Sequence, residues 1–347
     1  MDYKNLLTLM KTVAKASPNA ATAYSYNGES LSYEVLNETL RQELNELAGS
    51  YDSYRENKNT LFKLMEETLN DLLPRKVLDQ YGRFAEVKTF PQGVKPVFKH
   101  NLGKMRAKQF ITKVGLAGMY EVFKLGSESF EVATSAIGGA AQIGLEEFLD
   151  GRVDFAELVQ IVMDGMDELV YREIADALIA SINQLPTANR VALNGFDEAA
   201  FDQLLASASA YGKPAIYCTF EFATKMIPAD KWISEDMKNE RWQNGYFTSY
   251  KGHTVTILPQ SFEDETNATK VIDPGYCWII PGGDIKPVKV AFEGDTIVDE
   301  FKNYDRSREI QVYKKVGVVV LMTNNIFSYV DTSLKGKLSN IYTASGN

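Results

Sequence analysis

One stretch of helical periodicity predicts a helix of about thirty residues, and this restricts the folds open to the chain. Apolar side chains recur there at steps of three and four, at Phe155, Leu158, Val162, Met166, Leu169, Ile174, Leu178 and Ile182. Asp154 and Glu157 form a predicted capping box at the start, and Pro186 ends the helix. At 1.5 Å per residue the helix spans about 45 Å, which is long for a compact enzyme domain and natural for a structural strut.

The N-terminal region contains a second helical pattern. The first thirty residues are predicted to be a flexible arm with a short apolar patch around Leu6 and Met10, broken at Pro18. From Leu40 to Leu72 apolar positions alternate steps of four and three, as in helices that pack against helices. Gly49 weakens the pattern, which favours two helices. They are either a helical hairpin on the body or an intersubunit or scaffold-like arm.

A basic window lies inside an acidic chain. Residues 75–124 contain eleven Lys/Arg and three Asp/Glu, a net charge of +8, while the whole chain carries −9 and the rest therefore −17. Prolines and glycines make this window loop-like. Opposite surface potentials favour contact with another copy of the chain, and nucleic acid is the second candidate. Phe90, Phe98 and Phe110 are too few for a regular base-stacking platform, and a pI near 5.0 disfavours a basic DNA coat.

The remainder of the chain is predicted to mix helices and strands. The predicted elements are a hinge of small residues at 137–140, a helix at 196–208, a strand at 215–220, a helix at 221–227, a hairpin at 245–259 and a strand at 276–280. The hairpin turns at Lys251-Gly252. A C-terminal strand places Ile310, Val312, Val316, Val318 and Val320 on one face, with Lys314 as an interruption, and residues 326–330 form a last strand.

No reactive constellation is found in the sequence. The histidines, His100 and His253, lie near no cysteine or carboxylate cluster at metal-binding spacing. Neither Gly-Gly pair has a dinucleotide-binding or phosphate-binding context. Cys218 and Cys277 are too few for a disulfide framework and favour a reducing compartment. No segment is apolar enough to predict a membrane helix. We therefore expect no catalytic residue, no metal, no cofactor and no enzymatic activity.

The order of elements resembles the major capsid protein of tailed bacteriophages, which has the Hong Kong 97-like fold. The stretches that carry the resemblance are 126–185, 212–218, 245–259 and 305–310, and the likeness covers roughly Phe84 to Leu334. It implies an α+β fold with an N-terminal helical extension, an extended loop, a long spine helix, and peripheral and axial domains.

The resemblance also implies a division of the chain into five segments. Residues 1–83 are the N-terminal arm and helical extension, and 84–136 the extended loop region. Residues 137–190 are the spine helix and peripheral domain, 191–287 the axial domain, and 288–347 the C-terminal strands that return to the peripheral domain, with a flexible tail.

The implied function is structural. Subunits form hexamers and pentamers of an icosahedral capsid, assembled in the host cytoplasm and found in the virion, that encloses the double-stranded DNA of a tailed phage. Expected partners are other copies of the chain, a portal, scaffold or decoration proteins, and packaged DNA through weak non-specific contact, with no membrane. The candidate intersubunit contacts are Lys104, Arg106, Lys108, Lys113, Arg306 and Arg308.

Three other functions fit parts of the sequence. The same fold serves as the shell of a bacterial nanocompartment, which is loaded with cargo protein instead of DNA. A soluble α/β enzyme would fit the mixed elements, although no reactive constellation supports it. A nucleic-acid-binding protein would use the basic window. The long N-terminal helical extension favours the phage capsid over the nanocompartment.

Overall fold

The structure, a computed structural model, describes residues 3–15, 24–26, 29–101, 127–143, 155–228, 233–282, 286–302, 308–321 and 323–338. They fall into two compact units. The first unit comprises Met1–Lys76, Val87–Asp167 and Val290–Val318. The second unit comprises Val77–Glu86, Glu168–Lys289 and Val319–Asn347. The five-segment division remains a prediction.

The N-terminal part of the first unit is helical. Its elements are α1 (Tyr3–Lys15), the short strands β1 (Tyr24–Tyr26) and β2 (Glu29–Leu31), α2 (Tyr33–Ala48) and α3 (Tyr51–Tyr81). The predicted flexible arm is wrong for residues 3–15, because α1 is amphipathic and buries Leu6, Leu9, Met10 and Val13. The prediction of two helices is confirmed, with the break at Gly49 and Ser50.

Helix α3 packs on the strand β12 (Val288–Lys302). The carboxylate of Glu66 accepts the Val298 backbone N–H at 3.0 Å, and Asn70 Oδ1 accepts that of Thr296 at 2.7 Å. Helix α3 also buries Leu61, Leu64, Met65 and Leu69. The helical extension is therefore part of the core of the first unit, as the interpretation of a hairpin on the body required.

The main sheet of the first unit has the strand order β3-β12-β13-β6. Its other strands are β3 (Ala85–Phe90), β13 (Arg308–Val320) and β6 (Ser135–Ile143), and β6 pairs antiparallel with β13. The predicted hinge at 137–140 is wrong, since these residues form the centre of β6. Gly138 lies opposite Tyr313, and a Cβ atom on it would lie 2.3 Å from the Val312 carbonyl oxygen. Glycine is needed there for close approach of two strands.

Strand β13 confirms the predicted alternation and corrects one part of it. Ile310, Val312 and Val316 are buried, whereas Val318 is only half-buried. Lys314 does not interrupt the buried face, because its own side chain is buried with the others. The alternation continues through a lysine that has polar partners inside the unit.

The predicted long helix is confirmed as α4 (Phe155–Ser181), 27 residues long. A short 3-10 turn, Ile182–Gln184, follows it, and Leu185 is extended ahead of Pro186, as the sequence predicts. Asp154 lies outside the described residues, so the capping box stays a prediction.

The second unit is built on a mixed sheet with the order β7-β14-β11-β8-β10-β9. In chain order its elements are β7 (Arg190–Leu193), α5 (Glu198–Ser209), β8 (Pro214–Cys218), α6 (Phe220–Lys225), α7 (Glu235–Asn244), β9 (Ser249–Tyr250), β10 (His253–Ile257), β11 (Tyr276–Pro281) and β14 (Phe327–Asp331). The hairpin β9–β10 turns at Lys251 and Gly252, whose φ angles of 47° and 84° suit a two-residue turn. Cys218 and Cys277 are buried, unbonded to each other, and opposite one another on β8 and β11.

Candidate assembly surface

The most basic segment of the chain is held at both ends by an antiparallel hairpin, β4 (Val97–Asn101) with β5 (Ser127–Glu131). Its register pairs Val97 with Glu131 and Asn101 with Ser127. Residues 102–126, between the strands, carry five Lys/Arg and one Asp/Glu. This segment lies outside the described residues. The structure therefore gives the base of the predicted extended loop and not its tip.

A buried phenylalanine fixes the hairpin to the first unit. Phe98, on β4, is 1% exposed. Its ring meets that of Phe90 edge to face, with 5.7 Å between centroids, and Lys88 Nζ lies 5.1 Å from its centroid. Edge-to-face packing brings a positive ring edge to a negative ring face, and the ammonium adds a cation–π attraction. The packing of Phe98 therefore fixes the position of β4, the strand after which the basic segment begins.

Glu293, on β12, forms a second attachment at the root of the hairpin. Its carboxylate accepts the Thr134 hydroxyl at 2.5 Å and the Gly93 N–H at 3.4 Å, and Lys315 Nζ lies 3.6 Å away. Gly93 precedes β4 and Thr134 follows β5, so these contacts join both ends of the hairpin to the main sheet. The Thr134 hydrogen bond, followed by those from Gly93 and the charge of Lys315, holds the pKa of Glu293 below its ordinary value.

Several basic residues in the described part of the window are paired within the first unit. Lys76 lies 2.6 Å from a carboxylate oxygen of Asp164, and Lys95 Nζ lies 2.9 Å from Glu131. Arg75 is 2.9 Å from Asp71. These pairs are partly exposed, so each contributes little to stability, but each offsets a positive charge locally. These pairs therefore offset part of the positive charge in the described part of the window.

The second unit presents an exposed aromatic side chain on α7. Ser234 caps the start of this helix by accepting the Met237 N–H, and Gly245, with a φ of 80°, ends it in the left-handed conformation. The helix buries none of its residues, and Trp242, in its last turn, is 91% exposed. Tryptophan is enriched at protein–protein contacts and costly to leave in water. We regard Trp242 as a candidate contact that the sequence analysis missed.

The predicted contact residues are not brought together by the described part of the chain. Lys104, Arg106, Lys108, Lys113 and Arg306 lie outside the described residues. Arg308 is the first residue of β13, where its Cα is paired with that of Ile143. Their role in intersubunit contact stays a prediction. Besides Trp242, the sequence did not reveal the packing role of Phe98 or the contacts of Glu293. Glu293 and Gly93 lie 200 positions apart, so no local pattern predicts their contact.

Two kinds of feature are absent from the part of the chain that the structure describes. No group of three or more His, Cys, Asp or Glu side chains is placed to hold a metal ion there. None of the described helices is long and apolar enough to span a membrane.

Solved structures with a similar fold include bacteriophage capsids and an encapsulin complex. The mature capsid of bacteriophage PhiM1 matches with a TM-score of 0.50 and 10% sequence identity, over 73% of this chain and 87% of that one. The capsid of cyanophage P-SCSP1u gives 0.47 and 9%, over 72% and 87%. The SrpI encapsulin of Synechococcus elongatus PCC 7942 gives 0.43 and 11%, over 73% and 88%. The chain has the Hong Kong 97-like capsid fold, as predicted.

The class of protein is given by its sequence family and not by the fold alone. No curated protein matches the chain in sequence. A family model described as "SPbeta prophage-derived putative capsid protein YonB" matches residues 5–331. The chain therefore belongs to this capsid protein family, which places it in the virion and confirms the resemblance that the order of elements predicted.

Proposed function

We propose that the chain assembles into hexamers and pentamers, and that these close into an icosahedral capsid around the double-stranded DNA of a tailed phage. The observation that carries the proposal is the family match over residues 5–331, which includes both units and the hairpin. In this proposal assembly takes place in the host cytoplasm, and a portal and scaffold or decoration proteins take part.

We propose that residues 102–126 contact an acidic surface of a neighbouring subunit. Two features of the first unit support this. The hairpin fixes both ends of the segment through Phe98 and Glu293, so its direction of exit is set before assembly. The rest of the chain is acidic, so a second copy offers the charge that this segment lacks. Contact with packaged DNA is then weak and salt-sensitive, because the net charge of the whole chain is −9.

We also propose that the five predicted segments have the roles that the capsid fold gives them. Residues 84–136 act as the extended loop, and α4 is the spine helix within 137–190. The second unit contains all of segment 191–287, which we assign to the axial domain. Helix α3 of segment 1–83 stays attached to the body because it is packed on β12.

The experiment is to express the intact chain alone and with reversals of charge, and to examine the purified material by negative-stain electron microscopy and sizing. The variant Lys104→Glu, Arg106→Glu, Lys108→Glu changes the net charge from −9 to −15. A control with the same change reverses Lys63, Arg75 and Lys238, whose side chains are 63%, 60% and 58% exposed on the described body.

The expected result is hollow polyhedra, tubes or rings from the wild type and the control, and only folded monomers from the variant. Equal assembly of variant and control would contradict the role of the basic segment. A wild type that remains monomeric even with its scaffold and portal proteins would contradict the shell function. Shells that carry a cargo protein and no nucleic acid, when isolated from the native host, would replace the phage capsid with a nanocompartment.

A further inference from the structure

The second unit carries exposed aromatic side chains near one edge of its six-stranded sheet. Trp242, in the last turn of α7, has nearly all of its side chain in water. Phe220, the first residue of α6, is also exposed, and its ring meets that of Tyr246 edge to face, with 6.1 Å between centroids. Gly245, three residues after Trp242, lies against the Phe220 ring, which a Cβ atom on Gly245 would approach to 2.8 Å. Trp242 and Phe220 therefore belong to one surface.

Helix α7 is attached to the edge strand β9. Thr248, the residue before β9, donates its backbone N–H to the Glu240 carboxylate at 3.0 Å, and its hydroxyl donates to the same oxygen atom. Strand β9 is the last in the order β7-β14-β11-β8-β10-β9. Trp242 follows Glu240 by two positions, so these hydrogen bonds hold the indole at the β9 edge of the sheet.

A groove of about 460 Å³ lies at the opposite edge of the same sheet, and we call it the β7 groove. The strand register places Ala192 of the edge strand β7 beside Val330 of β14, and Val330 beside Tyr276 of β11. Ile179 and Ile182, at and just after the end of α4, line the same groove. Pockets of this size enclose whole small-molecule ligands, so the groove has room for an indole ring.

The charges of the β7 groove and of α7 are complementary. Arg190 and Lys335 are the charged residues that line the groove, and both are exposed. Helix α7 contains three acidic and two basic residues, with Glu235 and Asp236 in its first turn. Lys335 Nζ also lies 5.9 Å from the centroid of Tyr276, so the groove already pairs a cation with an aromatic ring. Tryptophan is the aromatic side chain that attracts such a cation most strongly.

We propose that Trp242 of one copy of the chain inserts into the β7 groove of a neighbouring copy. The proposal deepens the shell function proposed above and rests on it, because assembly of copies brings the two surfaces together. The indole cannot reach the groove of its own copy, since six strands spaced about 4.8 Å apart put the two edge strands about 24 Å from each other. Arg190 or Lys335 of the receiving copy then lies beside the indole, while the apolar floor of the groove takes its ring out of water.

This contact is head to tail, because Trp242 and the β7 groove are different surfaces of the same unit. Each copy uses its indole on one neighbour and its groove on another, and a contact of this kind closes into a ring when the rotation between copies permits. Both surfaces are held by regular elements of the fold, so little conformational entropy is lost when they meet. Tryptophan is also among the residues that most often dominate the binding energy of protein interfaces.

The test uses two variants of the full-length chain, purified separately and then mixed. Trp242→Ala removes the indole and leaves the groove, whereas Ala192→Tyr fills the groove and leaves the indole. We expect each variant alone to associate at least about thirtyfold more weakly than the wild type, as for the loss of an interface hot spot. An equimolar mixture should recover a one-to-one complex, because the indole of one variant still fits the groove of the other. Analytical ultracentrifugation measures the association, and circular dichroism checks the fold.

Gln243→Ala is the matched control, because Gln243 is the exposed neighbour of Trp242 on α7, and it should associate as the wild type does. Arg190→Glu is a second groove variant at an exposed position, which keeps the test decisive if Ala192→Tyr does not fold. It should weaken association at least about tenfold, as expected for a charge reversal at a contact.

A mixture that forms no complex would overturn the head-to-tail contact. Equal association of Trp242→Ala, Gln243→Ala and the wild type would overturn it as well, and shells formed by all three would leave the proposed function intact. A one-to-one complex in the mixture, with no shell from the wild type even when its scaffold and portal proteins are present, would instead support the contact and contradict the shell function.

Discussion

Removal of the Phe98 ring should release the hairpin without unfolding the rest of the chain. Phe98 is buried and makes the aromatic contact that ties β4 to β3. Replacing a buried Phe by Ala typically costs about 3–5 kcal/mol. A two-stranded hairpin has little stability of its own, so most of this loss should fall on the hairpin. Since about 1.4 kcal/mol is a factor of ten, amide protection in β4 and β5 should fall about a hundredfold or more.

Native-state hydrogen exchange, resolved to peptides, measures this for Phe98→Ala. Amides of the six-stranded sheet in the second unit should keep their protection, and assembly seen by electron microscopy should be lost. Val97→Ala is the control, because Val97 is the next residue along β4, is 37% exposed and points to the other face. It should change stability by about 0.5 kcal/mol or less. Unchanged protection of β4 and β5 in Phe98→Ala would refute the reasoning that Phe98 anchors the loop.

Two further substitutions test the root of the hairpin and the sheet. The lowered pKa of Glu293 means that its contribution is complete above pH 4.5 and is lost as the pH falls through the folded-state value. In Glu293→Gln, protection of the Gly93 amide should be weaker at pH 7 and less dependent on pH in acid, and an unchanged profile would contradict this role. Gly138→Ala should destabilise by about 1–3 kcal/mol in urea unfolding. Gly139→Ala, whose Cβ would meet nothing within 4 Å, is its control, and equal midpoints would contradict the argument.

The elements that the sequence predicts best are those whose patterns are local. The apolar stripe from residue 155 to 182 needs no knowledge of its partner, because helical spacing alone places it on one face. The turn at Lys251-Gly252 is likewise set by two adjacent residues that both adopt positive φ. In both cases the residues that cause the structure are neighbours in sequence.

The wrong predictions, in contrast, concern residues whose partners are remote in sequence. Gly138 was interpreted as a bend, and the structure shows that it makes room for the Val312 carbonyl, which is more than 170 residues away. Lys314 was interpreted as an interruption because a lysine is rarely buried. Its partners, Asn70 and Thr296, lie on other elements, and no local pattern reveals them. The proposed contact residues of the assembly are a stronger case, since the partners proposed for them belong to another copy of the chain.

The N-terminal helices show how such remote contacts decide between two interpretations that the sequence left open. If the helices were an arm that binds another subunit, the N–H groups of the sheet would have their hydrogen-bond partners without them. Instead, the Thr296 and Val298 N–H groups of β12 are satisfied by Asn70 and Glu66 of α3. Removing α3 would leave both donors without these partners and expose the leucines that it buries, at a cost of about 1–3 kcal/mol for each unsatisfied buried group. The helical extension is therefore as much a part of the first unit as the strands it covers.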